Sequence, residues 1–357
     1  MQAKLFDYLE KYDYENLFIC QEKETGLKAV IAIHDTTLGP AVGGCRMWIY
    51  DHEDDAIEDA LRLARGMTYK YAAAGINLGG GKTVIIGNPY KDKTEALFRA
   101  LGRFINRLGG RYITGADVGT TMQDMEYIRT ETPHIVTVPE SYGGAGDIAP
   151  YTALGTFQGI KASANEIYGS DSLEGKTVLV QGLGKVGGNL IKLLTDAKAK
   201  ILIADTDERL VAKYRDEYKL QVIQPELVYE TECDIFAPCA LGATVNDQTI
   251  DKLKCTIIAG AANNTLKEER HGEILKQKGI LFAPDYIVNA GGTIFDTDRL
   301  GVSGVHNKER AVQNVLKVYD TTKTVFKIAK EKNITPMDAA DLYAKKRIDE
   351  LKKLRNI

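Results

Sequence analysis

The sequence has no apolar run long enough to cross a bilayer, and its N-terminal residues lack the apolar segment that directs secretion. It has 46 basic and 49 acidic residues, and the resulting net charge of −3 argues against nucleic acid as a main partner. Its five cysteines are scattered, with no C-x-x-C pair and no histidine at a metal-ligand spacing. We therefore expect a cytoplasmic protein with reduced thiols, no bound metal, and no membrane or nucleic acid partner.

The length of 357 residues favours two domains over one. The glycine-rich stretch at residues 141–150 has the most flexible composition in the chain, and we place the boundary there. The expected organisation is a first domain at 1–150, a second at 151–330, and a C-terminal helical segment at 331–357 that packs back on the first domain. Mixed helix and strand signals in both domains predict an α/β fold.

Two lysines stand among small and apolar residues in the stretch 66–83. Helical periodicity over 54–71 places Lys70 on an inward face, and Lys82 follows three glycines and precedes a short β-branched run. Burial and a second nearby cation both disfavour a charged ammonium, so one lysine could act as a base while the other holds an anionic group. The alternative is two solvated surface lysines, but three glycines favour the close approach of a backbone to a ligand.

The sequence Gly-Gly-Gly-Lys-Thr around Lys82 also resembles a phosphate-binding P-loop. The P-loop spacing would require glycine at position 76, which is Ile76. A P-loop also runs from strand to helix, whereas this segment is predicted to run from helix to strand. A nucleoside triphosphatase is therefore excluded.

Further candidates lie in the turns of the first domain. Gly43 and Gly44 could let a ligand approach the backbone or could form only a β-bulge, and the sequence favours neither. Asp117 ends a short predicted strand beside small residues, so it could be a catalytic acid or base. It could equally cap the helix that follows.

A nucleotide-binding motif begins the second domain. A predicted strand runs directly into Gly182-x-Gly184-x-x-Gly187, and a helix and a second strand ending at Asp205 follow. Together these elements predict a dinucleotide-binding fold, with the pyrophosphate at the helix N-terminus. The Asp205 carboxylate would accept hydrogen bonds from a ribose and repel a 2′-phosphate, so the expected cofactor is NAD and not NADP.

Later segments complete the predicted sheet and its helices. Strands are predicted at 233–239, 256–264, 279–284 and 286–292, and helices at 308–332 and 336–357. Asn263, Asn264 and Asn289 lie within or at the ends of these strands, where an amide can both donate and accept hydrogen bonds to a ligand.

Six motifs accompany these features: 33–44 (IHDTTLGPAVGG), 61–70 (LRLARGMTYK), 78–82 (LGGGK), 116–120 (ADVGT), 233–240 (CDIFAPCA) and 283–292 (APDYIVNAGG). With the lysine pair and the nucleotide motif, they resemble the Glu/Leu/Phe/Val amino acid dehydrogenase family over nearly the whole chain. The leucine and phenylalanine dehydrogenase branch is the most similar. The resemblance implies a substrate domain and a Rossmann-type NAD-binding domain separated by a cleft, and a homo-oligomer.

The resemblance also implies roles for residues at matching positions. Lys82 would be the base that activates water, and Asp117 would exchange protons with it. The residues implied to bind the substrate carboxylate are Lys70, Gly43, Gly44 and Asn264. Those implied to line the substrate side chain are Val42, Gly115, Thr293 and Asp296. Those implied to line the NAD site are Thr152, Gly182, Leu183, Gly184, Lys185, Val186, Gly187, Asp205, Ala240, Asn263 and Asn289.

Two positions depart from the family pattern, because Thr293 and Asp296 stand where leucine and phenylalanine enzymes usually have apolar residues. A buried carboxylate is costly unless it is hydrogen-bonded, so either Asp296 turns away or the substrate side chain is larger, polar or cationic. Gly115 stands where leucine enzymes usually have alanine, and it is expected to leave room for an aromatic side chain. A longer segment at 300–306 predicts a rebuilt loop near the pocket.

The predicted function is NAD-dependent, reversible oxidative deamination of a neutral branched-chain or aromatic L-amino acid. The same chemistry on tryptophan or lysine is the alternative, given Thr293 and Asp296. A catalytically idle NAD-binding regulator is a remote alternative, disfavoured by both lysines and Asp117. A hydroxyacid dehydrogenase would need a histidine acid-base, and only His34 lies near the motifs.

Overall fold

The computed structural model describes residues 5–240, 242–301 and 304–355. The chain divides into two compact units, which we call unit 1 and unit 2. Unit 1 consists of Met1–Asp147, Asp296–His306 and Ala344–Ile357, and unit 2 of Ile148–Phe295 and Asn307–Tyr343. These bounds differ from the predicted domains chiefly at 296–306 and at 331–343, and the predicted domain roles stay a prediction.

Unit 1 is built on a mixed sheet. Its strands are β1 (Asn16–Glu22), β2 (Leu27–Asp35), β3 (Ala41–Trp48), β4 (Gly79–Ile86) and β5 (Tyr112–Ala116). Its helices are α1 (Leu5–Lys11), α2 (Glu53–Ala73), α3 (Glu95–Arg107) and α4 (Met122–Arg129). Within the described residues the strand order is β1-β2-β4-β3-β5. Strand β2 is antiparallel to β1 and β4, whereas β3 is parallel to β4 and β5.

The two faces of this sheet bury different helices because side chains alternate along β2. Ile31 and Ile33 pack with helix α3 in one apolar cluster, and Val30 and Ala32 pack with helix α2 in another. Helix α3 begins where the Thr94 side chain accepts the backbone N–H of Leu97. Helix α2 lies directly on strand β4. It thereby brings the segment that carries Lys70 against the strand that carries Lys82.

The last helix of the chain, α13 (Pro336–Arg355), returns to unit 1. The Arg347 guanidinium donates to the carbonyl oxygens of Ala72 (3.3 Å) and Ile76 (2.9 Å) at the end of α2. The Lys352 ammonium lies 3.1 Å from the buried carboxylate of Asp35. The end of α2, where carbonyl groups lack helical partners, is therefore satisfied by a segment distant in sequence.

Unit 2 is built on a parallel sheet. Its strands are β6 (Thr177–Gln181), β7 (Lys200–Ala204), β8 (Gln221–Val222), β9 (Cys233–Pro238), β10 (Cys255–Ile258) and β11 (Leu281–Phe282). Its further helices are α5 (Ala149–Tyr168), α6 (Lys185–Asp196), α7 (Glu208–Tyr218), α8 (Arg270–Gln277), α9 (Asp285–Val288), α10 (Gly291–Asp296), α11 (Lys308–Leu316) and α12 (Val318–Lys332). In the described part of the chain the order is β11-β10-β9-β6-β7-β8, the doubly wound order of nucleotide-binding folds. The predicted α/β class and the β6–α6–β7 unit are confirmed.

One predicted strand is wrong. Residues 286–292 are helical, in α9 and the start of α10. All of α9 is buried, and a short run that is apolar on every side does not distinguish a buried strand from a buried helix. The Asp285 side chain accepts the N–H of Tyr286 (2.7 Å) and of Thr265 (2.9 Å), which favours the turn into this helix. The predicted helix at 308–332 is also divided, at Lys317.

The described helices include none that is both long and apolar enough to cross a membrane.

Candidate active site

The two predicted catalytic residues lie in direct contact. Lys82 lies in the middle of β4 and is 5% exposed, and its ammonium nitrogen is 2.5 Å from Oδ2 of Asp117, which follows β5. Burial alone would raise the pKa of Asp117, but the Lys82 ammonium and the Arg46 guanidinium lower it to about 2. Asp117 is therefore an ionised carboxylate held between two cations. The alternative of a solvated surface lysine is therefore wrong for Lys82.

Lys70 lies near the end of α2 and is half-buried. The fully buried face of this helix is formed by other residues, among them Ala64, Thr68 and Tyr71. Leu63 and Met67 are half-buried like Lys70. The face that was predicted to point inward therefore lies beside the fully buried face of the helix. The role of Lys70 toward a substrate carboxylate stays a prediction.

The glycines before Lys82 make room for the protein itself. A Cβ on Gly80 would lie 2.1 Å from the backbone nitrogen of Thr68 in α2, and one on Gly79 would lie 2.1 Å from the carbonyl oxygen of Asp35. The sequence predicted that this glycine triplet lets a ligand approach. In the structure it instead allows α2 and β2 to pack closely on β4. Only glycine permits so short a distance between the helix and the strand.

The glycines of β3 have a similar role. A Cβ on Gly43 would lie 1.6 Å from the carbonyl oxygen of Gly81, and one on Gly44 would lie 2.8 Å from Cβ of Asp117. Gly44 thus lets Asp117 lie against β3. Val42, the neighbouring candidate, is buried in an apolar cluster of unit 1. Binding of substrate by Val42, Gly43 and Gly44 stays a prediction.

The carboxylate of Asp296 is satisfied within unit 1. It is 4% exposed and accepts the backbone N–H of Thr137 at 3.0 Å and the Thr137 hydroxyl at 2.6 Å. Burial raises the pKa of Asp296, and the two Thr137 hydrogen bonds oppose that shift. The requirement that a buried carboxylate be hydrogen-bonded is met by Thr137, since each oxygen has a partner.

The room expected beside Gly115 is already occupied. A Cβ at this position would lie 2.8 Å from Oγ1 of Thr137 and 2.9 Å from a methyl group of Val136. Gly115 therefore accommodates Thr137, the residue that binds Asp296. The argument that this glycine leaves space for an aromatic substrate was wrong, because the neighbouring segment fills that space.

In unit 2, the glycine motif forms the turn between β6 and α6. Gly182 has φ +96° and packs against Ala240, and a Cβ on Gly187 would lie 1.9 Å from the carbonyl oxygen of Gly182. A Cβ on Gly184, in contrast, would meet no atom within 4 Å. The first and third glycines thus shape the turn, while the second leaves its outer side open to a ligand. Leu183, Lys185 and Val186 complete this segment, the latter two in the first turn of α6.

Asp205 follows β7 and faces this turn. Its Oδ2 accepts the N–H of Leu183 at 2.5 Å, and its Oδ1 accepts the N–H of Asp207 at 2.8 Å. The carboxylate is therefore fixed beside the glycine turn. A carboxylate oxygen has more than one acceptor site, so these bonds are compatible with the predicted contact to a ribose.

Asn289 and Asn263 lie together near the carboxyl end of the same sheet. The Asn289 amide donates to Oδ1 of Asn263 at 2.7 Å and to the carbonyl oxygen of Ala261 at 3.3 Å. Oδ1 of Asn289 is buried and accepts no hydrogen bond from the described residues. A bound group that donates an N–H would satisfy this oxygen, so the site fits a nicotinamide nucleotide.

The remaining candidates lie nearby in unit 2. The Thr152 hydroxyl, on α5, donates to the carbonyl oxygen of Ile148 at 3.3 Å, and Gly292 packs against it. Asn264 has φ +52°, and its carbonyl oxygen accepts the N–H of Ala243. Thr293 lies in α10. Their contacts with substrate or nucleotide stay predictions.

Both parts of the chain match one family. Residues 16–134 match the model described as Glu/Leu/Phe/Val dehydrogenase, dimerisation domain, and residues 143–207 and 200–355 match Glutamate/Leucine/Phenylalanine/Valine dehydrogenase. The chain belongs to the Glu/Leu/Phe/Val dehydrogenase family. The predicted resemblance is confirmed, and the protein is an amino acid dehydrogenase. Dehydrogenases of this family depend on a pyridine nucleotide.

Relatives of this dehydrogenase match over nearly their full length. Leucine dehydrogenase from Thermoactinomyces intermedius is 56% identical over 353 residues, which cover 99% of this chain and 96% of that protein. Phenylalanine dehydrogenase from the same organism is 46% identical over 357 residues, with coverage of 99% and 96%. The crystal structure of L-tryptophan dehydrogenase from Nostoc punctiforme has a TM-score of 0.84 at 43% identity, with coverage of 98% and 100%.

Among the described residues of the dehydrogenase, the partners of His34 do not suit an acid-base role. Its ring nitrogens lie 2.8 Å from the Thr68 hydroxyl and 3.1 Å from the carbonyl oxygen of Tyr12. Burial lowers the pKa of His34 to about 4. His34 therefore packs locally. In the described part of the chain, no cluster of histidine, cysteine and acidic residues could hold a metal ion.

Sequence reasoning missed two charged residues of the dehydrogenase site, Arg46 and Asp59. The Arg46 Nε lies 3.3 Å from Oδ2 of Asp117, and its Nη1 lies 2.9 Å from Oδ2 of Asp59 on α2. A signal was present, because alternation along β3 places Arg46 on the same face as Gly44, against which Asp117 packs.

Proposed function

We propose that the protein catalyses the NAD-dependent, reversible oxidative deamination of a neutral L-amino acid to the 2-oxo acid and ammonia. The observation that carries this proposal is the buried contact between Lys82 and Asp117 in a chain of the Glu/Leu/Phe/Val dehydrogenase family. When bound, the nicotinamide ring accepts a hydride from the substrate Cα. The protein's own side chains then handle protons and water.

In this proposal Lys82 is the general base. As a water molecule attacks the carbon of the substrate iminium, its proton moves to the amine of Lys82. Asp117, in contact with that amine, exchanges protons with it and with the departing ammonia. The lowered pKa of Asp117 keeps its carboxylate ionised beside the Lys82 amine. Lys70 holds the substrate carboxylate by charge, supported by Gly43, Gly44 and Asn264.

We propose NAD over NADP because of the acid that follows β7. Two backbone N–H groups restrain the Asp205 carboxylate beside the glycine turn, and Asp207 and Glu208 add negative charge. A 2′-phosphate would meet this charge, whereas a free ribose hydroxyl would donate to it. The open side of Gly184 and the unpaired Oδ1 of Asn289 support nucleotide binding in unit 2.

For the substrate side chain, we propose Val42, Thr293 and Asp296 as neighbours and a branched or aromatic amino acid as the preferred substrate. Thr137 already donates hydrogen bonds to both oxygens of the buried Asp296 carboxylate, so a lysine ammonium is not needed to satisfy them, and lysine is the less favoured substrate. Tryptophan is the second candidate, supported by the likeness to L-tryptophan dehydrogenase.

Formation of NADH with a panel of L-amino acids tests this function. The panel contains leucine, valine, phenylalanine, tryptophan and lysine, each with NAD and with NADP. We expect kcat/KM to be highest for a neutral substrate with NAD and at least about tenfold lower with NADP, the cost of one unfavourable charge contact. Oxidation of 2-hydroxy acids alone, or preference for NADP, would contradict the proposal.

We also propose a cytoplasmic homo-oligomer. Residues 16–134 match a model described as a dimerisation domain, and all five cysteines are free thiols. Light scattering of the purified protein would measure the subunit number, and a monomer at micromolar concentration would contradict this part of the proposal.

A further inference from the structure

A row of alternating charges extends from the catalytic pair to helix α2. Lys82 and Arg46 both contact the same oxygen, Oδ2 of Asp117, at 2.5 Å and 3.3 Å. Arg46 then binds Oδ2 of Asp59 at 2.9 Å, and the Tyr50 hydroxyl donates to that oxygen at 2.6 Å. The side chains of all four charged residues are at most 27% exposed.

We propose that Arg46 is a positioning residue that holds the Asp117 carboxylate against Lys82, and that Asp59 fixes Arg46 in this place. The inference rests on the proposed function, because it assigns Arg46 a role through the catalytic pair. Arg46 contacts neither the substrate nor the nucleotide in this proposal. It acts by placing Asp117 and by supplying a permanent positive charge.

The charges explain why a permanent cation is needed. The row contains two positive and two negative groups, so it is neutral when Lys82 carries its proton. When Lys82 gives up that proton, Asp117 keeps a positive partner only because a guanidinium remains charged at any working pH. Without Arg46, the buried carboxylate would depend on Lys82 alone, and the pair would hold its proton more tightly.

The geometry explains why the cation is arginine. Its Nε faces one carboxylate and its Nη1 faces another, so a single rigid plane joins the end of β5 to α2. Asp59 lies three turns before Lys70 on the same helix, so the row also relates the acid to the helix that carries the proposed carboxylate ligand. A lysine at position 46 would keep the charge but lose the two-pronged contact.

Other groups around the pair do not supply this charge. Burial raises the pKa of Cys45 and of Tyr112, so both are neutral over the working range. Asp124 is paired with Lys93 at 2.6 Å. Lys70 is unchanged in every variant described below, so its contribution is common to all of them.

The test is the dependence of kcat/KM on pH in Arg46→Gln, Arg46→Lys and Asp59→Asn. In Arg46→Gln we expect kcat to fall about 10- to 100-fold, with the acid limb of the profile moved up by about one pH unit. Asp59→Asn removes a negative charge, so its acid limb should move the opposite way, by less. Arg46→Lys should keep the acid limb of the wild type but lose kcat, because charge is retained and placement is not.

Arg99→Gln is the matched control, since Arg99 also joins two carboxylates, those of Glu95 (2.7 Å) and Glu131 (3.1 Å), but on the exposed surface of α3. It should leave the profile unchanged. Thermal melting of every variant reports folding, and if Arg46→Gln does not fold, Asp59→Asn and Arg46→Lys still give different expectations, a lowered acid limb and an unmoved one. Loss of activity in Arg46→Gln and Asp59→Asn with the acid limb unmoved in both would overturn the inference while Lys82→Ala remained nearly inactive. Turnover by Lys82→Ala near the wild-type rate would overturn the proposed function, and this inference with it.

Discussion

In the sheet of unit 1, glycines stand within the strands, whereas in the sheet of unit 2 they stand in the turn that follows one. A Cβ on Gly80 would strike the backbone of α2 at 2.1 Å, but a Cβ on Gly184 would meet no atom within 4 Å. The first glycine brings two elements of the protein together so that side chains can meet. The second leaves backbone N–H groups accessible to a ligand.

The two sheets also differ in what their strands bury. Strands of unit 1 bury His34 and Lys82, whereas the strands β6, β7 and β9 of unit 2 bury valine, leucine, isoleucine and phenylalanine. Unit 2 keeps its polar groups at the carboxyl ends of the strands, as at Asp205. The proposed chemistry of unit 1 would therefore lie inside the sheet, and the proposed ligand binding of unit 2 at its edge.

The largest expected effect is on the chemistry of unit 1. Lys82→Ala should lower kcat by about 10²- to 10⁴-fold, because it removes the proposed general base. Binding of NADH, measured by calorimetry, should stay within about twofold of the wild type, since its proposed ligands lie in unit 2. Lys91→Ala, at an exposed lysine, is the control. If Lys82→Ala lost NADH binding together with turnover, the proposal of chemistry in unit 1 and nucleotide binding in unit 2 would be contradicted.

Next in size is the packing of glycine in β4. Gly80→Ala should destabilise the protein by about 3 kcal/mol or more, because the added methyl group overlaps the backbone of Thr68. Gly66→Ala, in α2 with no atom within 4 Å of its Cβ, should instead stabilise it by about 0.5–1 kcal/mol. Denaturant unfolding measures both. Equal effects of the two substitutions would show that Gly80 is not a packing residue.

The buried histidine of unit 1 should make stability depend on pH. The pKa of His34 is lowered to about 4 in the folded protein. Between this pKa and the ordinary pKa of histidine, the unfolded chain therefore binds more protons than the folded protein does. The contribution of His34 to the free energy of unfolding is largest at pH values above the ordinary pKa of histidine. It falls as the pH approaches 4, by roughly 3 kcal/mol at most.

His34→Gln should flatten this dependence, and His52→Gln, at an exposed histidine, should not. Asp296, whose pKa is raised, contributes in the opposite direction near pH 4, so the quantity to compare is the difference between variant and wild type. Parallel curves for the wild type and His34→Gln would contradict the assignment.

The smallest expected effect is at the nucleotide turn of unit 2. Gly184→Ala should leave the free energy of unfolding within about 0.5 kcal/mol of the wild type, because the new methyl group meets no protein atom. It should weaken NADH binding about tenfold or more, because the methyl group lies where the pyrophosphate approaches. Destabilisation without loss of affinity would make this glycine resemble Gly80 and remove the contrast between the sheets.

The nucleotide site could be predicted from the sequence because its parts are local. Gly182, Gly187 and Asp205 lie within one strand–helix–strand unit, and their spacing alone specifies the turn. The helical residues 286–292 could not be predicted in the same way. Their apolar run has no periodicity that distinguishes a buried helix from a buried strand. Glycine also allows α10 to pack closely on α5, because a Cβ on Gly291 would lie 2.0 Å from the carbonyl oxygen of Tyr151.

The site in unit 1 required the family resemblance as well as the residues. Lys82 and Asp117 meet only because β3 lies between β4 and β5, and the sheet order is not written in either segment. The contacts of Arg46 and Asp59 could not be predicted for the same reason. The prediction for Gly115 failed because Thr137 fills the space, a contact between β5 and the segment that follows α4.

The hydrogen bonds of Arg347 to the end of α2 have a consequence for synthesis on the ribosome. The first segment of unit 1 is translated early, yet the carbonyl groups of Ala72 and Ile76 receive the Arg347 donors only after residue 347 has left the exit tunnel. The part of the protein that begins the chain is thus completed among the last. A nascent chain arrested before this helix would leave these two carbonyl groups without their Arg347 donors.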